Sequence, residues 1–215
     1  MKFKHGKNFI VKDKRSVFIG KNVIIGNNVT IYENNRIDGN CVIKDGVVIL
    51  PGCYIVDTII GENSVINHSQ SEKAEVGKDC SVGPFARLRP NAKICDLVKI
   101  GNFVEIKNAT IGKGTKVSHL AYVGDADLGE NCNIGCGAIF VNYDGVNKHR
   151  TSVGDGCFIG SNCNVIAPVN IESRSYICAG TTVTENVKCD DFVIGRVRQQ
   201  VKENRAHEYL KKEKN

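Results

Sequence analysis

Two basic residues at equivalent positions could form an anion site. Arg89 and Lys107 are 18 residues apart, and each directly follows an aliphatic residue, Leu88 or Ile106. If they lie on neighbouring turns of a regular stack, their charges are about one strand spacing, ~4.8 Å, apart and repel unless an anion lies between them. The spacing therefore predicts a site for a phosphate group, with Pro90 stiffening the corner. The alternative, in which both side chains point apart into water, remains open.

His119 is suited to acid–base chemistry, because an imidazole titrates near neutral pH. By itself it would be read as an ordinary surface histidine. Counted in turns of the same stack, however, it has three small residues at equivalent positions above it, which predicts a shallow groove of roughly 14 Å. The column reads Pro84, Asn102, His119, Cys136, Ser161 and Ala179. Such a groove suits an extended arm such as pantetheine, and Arg196 could meet phosphates at its far end.

A third column stacks Arg87, Glu105 and Tyr122. It predicts an ion pair between Arg87 and Glu105, and a Tyr122 hydroxyl close to His119. The other histidines are expected in solvent, since they lie in the tails, in an irregular repeat or in a loop: His5, His68, His149 and His207. A zinc site would need three converging histidines, so no metal is predicted.

The elements that must position these residues are set by an aliphatic residue at every sixth position. The run begins at Ile19, passes without a slip to Ile55 and continues, with a few short steps, to Val183. Neither an α-helix nor an ordinary strand has this period, whereas a six-residue repeat is typical of a parallel β-helix. Three repeats close one triangular coil of 18 residues, and the short steps at 55–60, 106–111 and 123–128 predict coils of 17.

We expect an all-β protein organised around this repeat. Residues 1–18 form a lead-in, residues 19–188 form the β-helix with one extruded loop at 141–152, and residues 189–215 form a tail with a short exposed helix. A loop on a regular scaffold is a common place for function. Residues 67–75 hold only a weak repeat.

Composition narrows the class of protein. The net charge is +6, but the basic residues lack the aromatic interleaving typical of nucleic-acid binding, and no apolar run has the length of a membrane span or signal peptide. We expect a cytoplasmic protein that binds neither nucleic acid nor membrane. Six of the 10 cysteines lie four residues after a repeat aliphatic, where only a small side chain fits inside, so we expect buried free thiols. They are Cys41, Cys53, Cys80, Cys132, Cys157 and Cys163.

Five segments, in order, carry a family resemblance. They are Gly83-Pro-Phe-Ala-Arg-Leu-Arg-Pro90, Gly101-Asn-Phe-Val-Glu-Ile-Lys107, Ser118-His-Leu-Ala-Tyr-Val-Gly-Asp125, Asn142-Tyr-Asp-Gly-Val-Asn-Lys148 and Ala179-Gly-Thr-Thr-Val-Thr184. Together they closely resemble the acetyltransferase half of the bacterial bifunctional enzyme that makes UDP-N-acetylglucosamine. That enzyme joins glucosamine-1-phosphate N-acetyltransferase to N-acetylglucosamine-1-phosphate uridylyltransferase. The resemblance covers about residues 80–200.

The resemblance implies a left-handed parallel β-helix, a homotrimer with its sites between subunits, and transfer of acetyl from acetyl-CoA to the 2-amino group of glucosamine 1-phosphate for cell-wall synthesis. His119 matches the general base. The matching sugar-phosphate residues are Arg89, Lys107, Tyr122, Asn133 and Lys148. The matching acetyl-CoA residues are Cys136, Asn142, Tyr143, Ser161, Ala179 and Arg196.

The chain also departs from this family. Cys136 replaces the usual alanine and should narrow the groove, and the tail from Arg198 follows a different sequence. The uridylyltransferase half, with its glycine-rich nucleotide loop and its magnesium, has no counterpart, so neither that activity nor a metal is expected. Two alternatives remain open: an acyltransferase for another phosphorylated amino sugar, and a non-catalytic β-helix scaffold.

Overall fold

The structure, a computed structural model, describes residues 3–210 as a three-sided stack of parallel strands. Strands of two to four residues follow one another around the three sides, and each pairs in parallel with the strand on the next coil. We call the three sheets faces A, B and C, in the order in which a coil of the chain visits them.

Face A contains the strands Lys4–His5, Ile24–Ile25, Val42–Ile43, Ile59–Ile60, Glu75–Val76, Lys93–Ile94, Thr110–Ile111, Ala126–Leu128, Thr151–Val153 and Asn170–Ile171. Face B contains Ile10–Val11, Thr30–Ile31, Val48–Ile49, Val65–Ile66, Ser81–Val82, Lys99–Asn102, Lys116–His119, Asn133–Ile134, Phe158–Ile159, Tyr176–Ile177 and Phe192–Val193. Face C contains Phe18–Ile19, Arg36–Asp38, Tyr54–Val56, Gln70–Glu72, Arg87–Leu88, Glu105–Lys107, Tyr122–Gly124, Ile139–Val141, Asn164–Ile166 and Thr182–Val183.

The six-residue repeat forms these strands because its aliphatic residue points into the prism while its neighbours point out. Ile43, Ile106 and Val165 are at most 1% exposed, and the repeat residues of successive coils pair directly, as Leu88 does with Ile106. A fully buried aliphatic side chain contributes about 1.5–3 kcal/mol. The core is therefore a narrow column of isoleucine and valine, and it fixes which residues of adjacent coils lie side by side.

The corners turn through residues with a left-handed backbone. Phe85, Phe103 and Leu120 have φ of 58°, 56° and 45° where face B passes into face C, and Asn108 and Asp125 have φ of 47° and 48° where face C passes into face A. A single residue in this conformation reverses the chain within a short step. The side chains of Phe85, Phe103 and Leu120 consequently project from the corner and are more than half exposed.

The coil lengths agree with the short steps in the sequence, with one addition. Ile94 pairs with Ile111, and Ile111 with Leu128, each 17 residues further on. The weak repeat at 67–75 also forms a strand, Gln70–Glu72, in which Ser71 occupies the buried position. Its hydroxyl lies 3.1 Å from that of Thr58. The sequence pattern missed this strand because a hydrogen-bonded serine pair replaces the aliphatic residue.

The strands extend further at both ends than the predicted β-helix. Lys4–His5 and Ile10–Val11 pair with the following coil, and Phe192–Val193 pairs with Tyr176–Ile177. The predicted helix in the tail is wrong for the described residues, where Ala206–Glu208 form one turn of 3-10 helix. Every residue of that turn is exposed, so no packing of an apolar face stabilises a longer helix. Residues 211–215 of the predicted tail lie outside the described part of the chain, and the functional division of the chain stays a prediction.

The predicted burial of the cysteines is confirmed. All six named above are buried, and all 10 are free thiols. Between residues 3 and 210, the structure contains no helix with the length and apolar character needed to cross a bilayer.

Candidate active site

His119 ends the strand Lys116–His119 on face B, at the corner with face C, and is exposed. It pairs in register with Asn102 on the preceding coil, and its Nδ1 lies 2.8 Å from Asn102 Oδ1. An amide oxygen only accepts hydrogen bonds, so this contact places the proton of a neutral imidazole on Nδ1. The opposite nitrogen, Nε2, is then able to accept a proton from a bound molecule.

The column above His119 has the predicted order. Val117 pairs with Ile134, Ile134 with Ile159 and Ile159 with Ile177. The residues two positions later, His119, Cys136, Ser161 and Ala179, therefore follow one another along the corner. At the top, Arg196 Nη1 donates a hydrogen bond to the Ala179 carbonyl at 2.9 Å. The alignment agrees with a groove along this corner, and the binding roles of its residues stay predictions.

The predicted cation pair lies at the other edge of face C, where both cations have acidic partners. Arg89 Nη1 donates to Glu105 Oε1 at 2.7 Å, and Lys107 Nζ lies 3.8 Å from Asp125 Oδ2. The expectation that Arg87 pairs with Glu105 is wrong, although the two residues are in register. The diagonal contact of Arg89 with Glu105 directs its guanidinium towards an anion instead of its like-charged neighbour Lys107.

The extruded loop, residues 142–150, brings Lys148 to the same place. Contact with the Lys148 amino group, followed by burial, lowers the pKa of Lys107, and the charge of Asp125 opposes this shift. Burial raises the pKa of Asp125, but hydrogen bonds from Asn108 and Asn142 and the charges of the two lysines together hold it below its ordinary value. We call Arg89, Glu105, Lys107, Asp125 and Lys148 the cation cluster. Its three cations and two carboxylates leave one net positive charge.

The loop is held by contacts at both of its ends. Asn142 is buried and donates to the Asp125 carboxylate, whereas the resemblance had assigned it to acetyl-CoA. Arg150 donates to both carboxylate oxygens of Asp127 at 2.6 Å and to the Asn108 carbonyl at 3.0 Å.

Between the ends of the loop, Asp144 Oδ1 accepts the backbone N–H groups of Val146 and Asn147, at 2.7 and 2.6 Å. The Tyr143 hydroxyl donates to the Gly145 carbonyl at 2.6 Å, although the ring is 56% exposed. This extruded loop is therefore an ordered part of the site.

Tyr122 and Asn133 lie apart from where the sequence placed them. The Tyr122 hydroxyl lies over Gly124, where an added Cβ would be only 2.3 Å from it. Gly124 pairs with Lys107, so the hydroxyl is directed towards the cation cluster and away from His119. Asn133 lies on face B, in register with Lys116 and Phe158. One chain thus forms a cation cluster at one edge of face C and a histidine groove at the other.

Three contributors were missed by sequence reasoning: Asn102 as partner of His119, Asp125 as partner of the lysines, and Arg150 as anchor of the loop. Asn102 stands directly before His119 in the column, so its contact was available from the spacing. Asp125 and Arg150 act through a corner and a loop, which the six-residue period does not describe. Among residues 3–210, no group of three or more histidine, cysteine or acidic side chains is arranged to hold a metal ion.

The fold and these sites define the class of the chain, and comparison with known proteins agrees. A model described as the hexapeptide repeat of succinyl-transferase matches residues 6–33 and 150–185, and one described as bacterial transferase hexapeptide (six repeats) matches residues 73–108. The chain is a hexapeptide-repeat protein, and this repeat fits the left-handed β-helix that the sequence analysis expected.

The more particular likeness is to the bifunctional protein GlmU. The protein from Levilactobacillus brevis is 58% identical over 100 residues, which are 46% of this chain and 22% of that protein. The protein from Bacillus cytotoxicus is 53% identical over 110 residues, 51% of this chain and 24% of that protein. The resemblance to the bifunctional enzyme is therefore confirmed, and the chain spans less than a quarter of the length of these relatives.

A solved structure of GDP-perosamine N-acetyltransferase from Caulobacter crescentus, with CoA and GDP-perosamine, is also similar. It is 24% identical, with a TM-score of 0.41, over 57% of this chain and 53% of that one. At this level the likeness carries no argument about the site.

Proposed function

We propose that the chain is an acetyltransferase that moves acetyl from acetyl-CoA to the 2-amino group of glucosamine 1-phosphate, giving the N-acetylglucosamine 1-phosphate needed for UDP-N-acetylglucosamine and the cell wall. The observation that carries the proposal is His119, held by Asn102 with Nε2 free at the foot of the groove. The cation cluster supports a phosphorylated acceptor, and the likeness to GlmU supports the identity of the sugar.

In this proposal the phosphate binds Arg89, Lys107 and Lys148, which orient the sugar towards the groove. An amine attacks a thioester only when it is neutral, so His119 Nε2 accepts its proton as the nitrogen–carbon bond forms. The tetrahedral oxyanion needs a donor, for which we infer a backbone N–H near Cys136. The carbon–sulfur bond then breaks, and the proton held by His119 neutralises the departing CoA thiolate. No covalent intermediate on Cys136 is needed.

We further propose a cytoplasmic homotrimer with its sites between subunits. The free, mostly buried thiols fit a reducing compartment. Within one chain, Asn133 and the groove lie on or beside face B, whereas the cation cluster lies at the far edge of face C. A neighbouring subunit packed along this side would enclose the open groove and complete the acetyl-CoA site.

The test is release of CoA thiol from acetyl-CoA and glucosamine 1-phosphate. His119→Ala should lower kcat by about 10²–10⁴-fold, the usual contribution of a general base. His68→Ala is the matched control, because His68 is another exposed histidine at the same corner, lower in the stack. Near-full activity of His119→Ala contradicts the mechanism. Turnover with a different amino-sugar phosphate supports the alternative acyltransferase, and failure of the unmodified protein to bind acetyl-CoA supports a scaffold.

A further inference from the structure

A buried carboxylate lies beneath the cation cluster and has no part in the proposed chemistry. Asp125 is 8% exposed. Its Oδ1 accepts a hydrogen bond from Asn108 on the preceding coil, and its Oδ2 accepts one from Asn142 in the loop and lies 3.8 Å from Lys107 Nζ. A buried charge is costly unless it is paired and hydrogen-bonded, and this one is both. The carboxylate thereby joins two coils and the loop at one point.

The groups around Lys107 show what this carboxylate does. Arg89 lies on the coil before it and Lys148 in the loop, both positive, while Glu105 lies on its own strand and is paired with Arg89. The Tyr122 hydroxyl lies over Gly124, and Arg150 adds positive charge near Asp125. Without Asp125, three cations of the cluster would face a single carboxylate. Repulsion would then separate Lys107 from Lys148 or remove a proton from one of them.

We propose that Asp125 is a positioning residue of this site: its carboxylate holds Lys107 and, through Asn142, the loop, so that Lys107 and Lys148 face one anion together. The inference rests on the proposed function in taking that anion to be the phosphate of an amino sugar. Asp125 itself need not touch the substrate. Removing its negative charge would also favour anion binding directly, so affinity at a single pH does not test the proposal, whereas the pH dependence of affinity does.

Two variants separate the charge of Asp125 from its hydrogen bonds. Asp125→Asn removes the charge and keeps an acceptor oxygen, whereas Asp125→Ala removes both. Asp96→Asn is the matched control, because Asp96 pairs with Lys78 at 3.9 Å on a different corner. The probe is inorganic sulfate, whose own charge is constant, titrated calorimetrically between about pH 7.5 and 9.5, above the histidine range. Hydrogen exchange of residues 142–150 is measured on the same proteins.

Loss of the carboxylate should lower the pH at which sulfate affinity is halved by about one unit in Asp125→Asn, since an opposite charge at this distance shifts a pKa by about 1–3 units. Asp96→Asn should behave as the unmodified protein. Exchange in the loop should rise in Asp125→Ala and less in Asp125→Asn. If Asp125→Ala does not fold, the pH profile of Asp125→Asn decides alone.

The proposal is overturned if Asp125→Asn keeps the unmodified pH profile, or if it loses affinity equally at every pH together with thermal stability. A protein that binds sulfate as expected but releases no CoA with glucosamine 1-phosphate contradicts the proposed function and leaves the role of Asp125 supported.

Discussion

The side chain that determines what His119 can do is Asn102. A neutral imidazole has two tautomers, and only the one with its proton on Nδ1 leaves Nε2 available as a base. The Asn102 oxygen, 2.8 Å from Nδ1, selects that tautomer and fixes the direction of the ring. Both residues are exposed or half-buried, so packing contributes little to the orientation of the ring, and the hydrogen bond is its main constraint.

Asn102→Ala should therefore lower kcat about tenfold or more, as a fraction of the total contribution of the base, while KM for acetyl-CoA changes little. Steady-state kinetics over the pH range of histidine titration would measure both. Asn164→Ala is a suitable control, because Asn164 is exposed or half-buried on face C and contacts Thr182. An Asn102→Ala protein with unchanged kcat would show that the tautomer is set in another way.

The loop at residues 142–150 is the element that departs from the repeat and completes the cation cluster. Its Arg150 forms two hydrogen bonds with Asp127 in which both side chains are nearly half exposed, so the pair stabilises the fold only slightly. Its effect should be local, because it fixes the point where the loop returns to face A and so the position of Lys148.

Arg150→Ala should accordingly speed hydrogen exchange of the loop and raise KM for the sugar phosphate several-fold, with a change in the free energy of unfolding of no more than about 1 kcal/mol. Arg174→Ala is a matched control, since Arg174 binds Asp190 through the same two kinds of nitrogen, at 2.7 and 2.9 Å, away from the site. A large loss of stability in Arg150→Ala alone would instead make this arginine a general support of the coil.

The elements themselves were predictable because a β-helix repeats one local environment. The aliphatic residue at each sixth position fixed the strands, the stacking of Arg89 beside Lys107 and the column above His119. What failed depends on side-chain directions: Arg89 takes the acid expected for Arg87, and Tyr122 turns to Gly124. The period states which residues are neighbours, but not which of two neighbouring cations an acid binds.

For the whole molecule, the open question is how the two edges of face C are covered. Phe85 and Phe103 stack with ring centroids 5.6 Å apart at the corner of faces B and C, and Leu120 follows them next to His119. All three are more than half exposed. Apolar side chains in a continuous exposed row are typical of an interaction surface. Because this row adjoins the groove, the proposed trimer would bury it and enclose the acetyl-CoA site in the same contact.

Phe103→Ser should consequently weaken assembly and lower activity together, while the monomer keeps its strands. Sedimentation of the protein at several concentrations gives the mass, and CoA release on the same samples gives the activity. Leu97→Ser is the matched control, since Leu97 is also an exposed corner residue with φ of 62°, but lies between faces A and B. If Phe103→Ser remains assembled and active, the row lies outside the subunit contact; if it is assembled but inactive, the row acts on the groove within one chain.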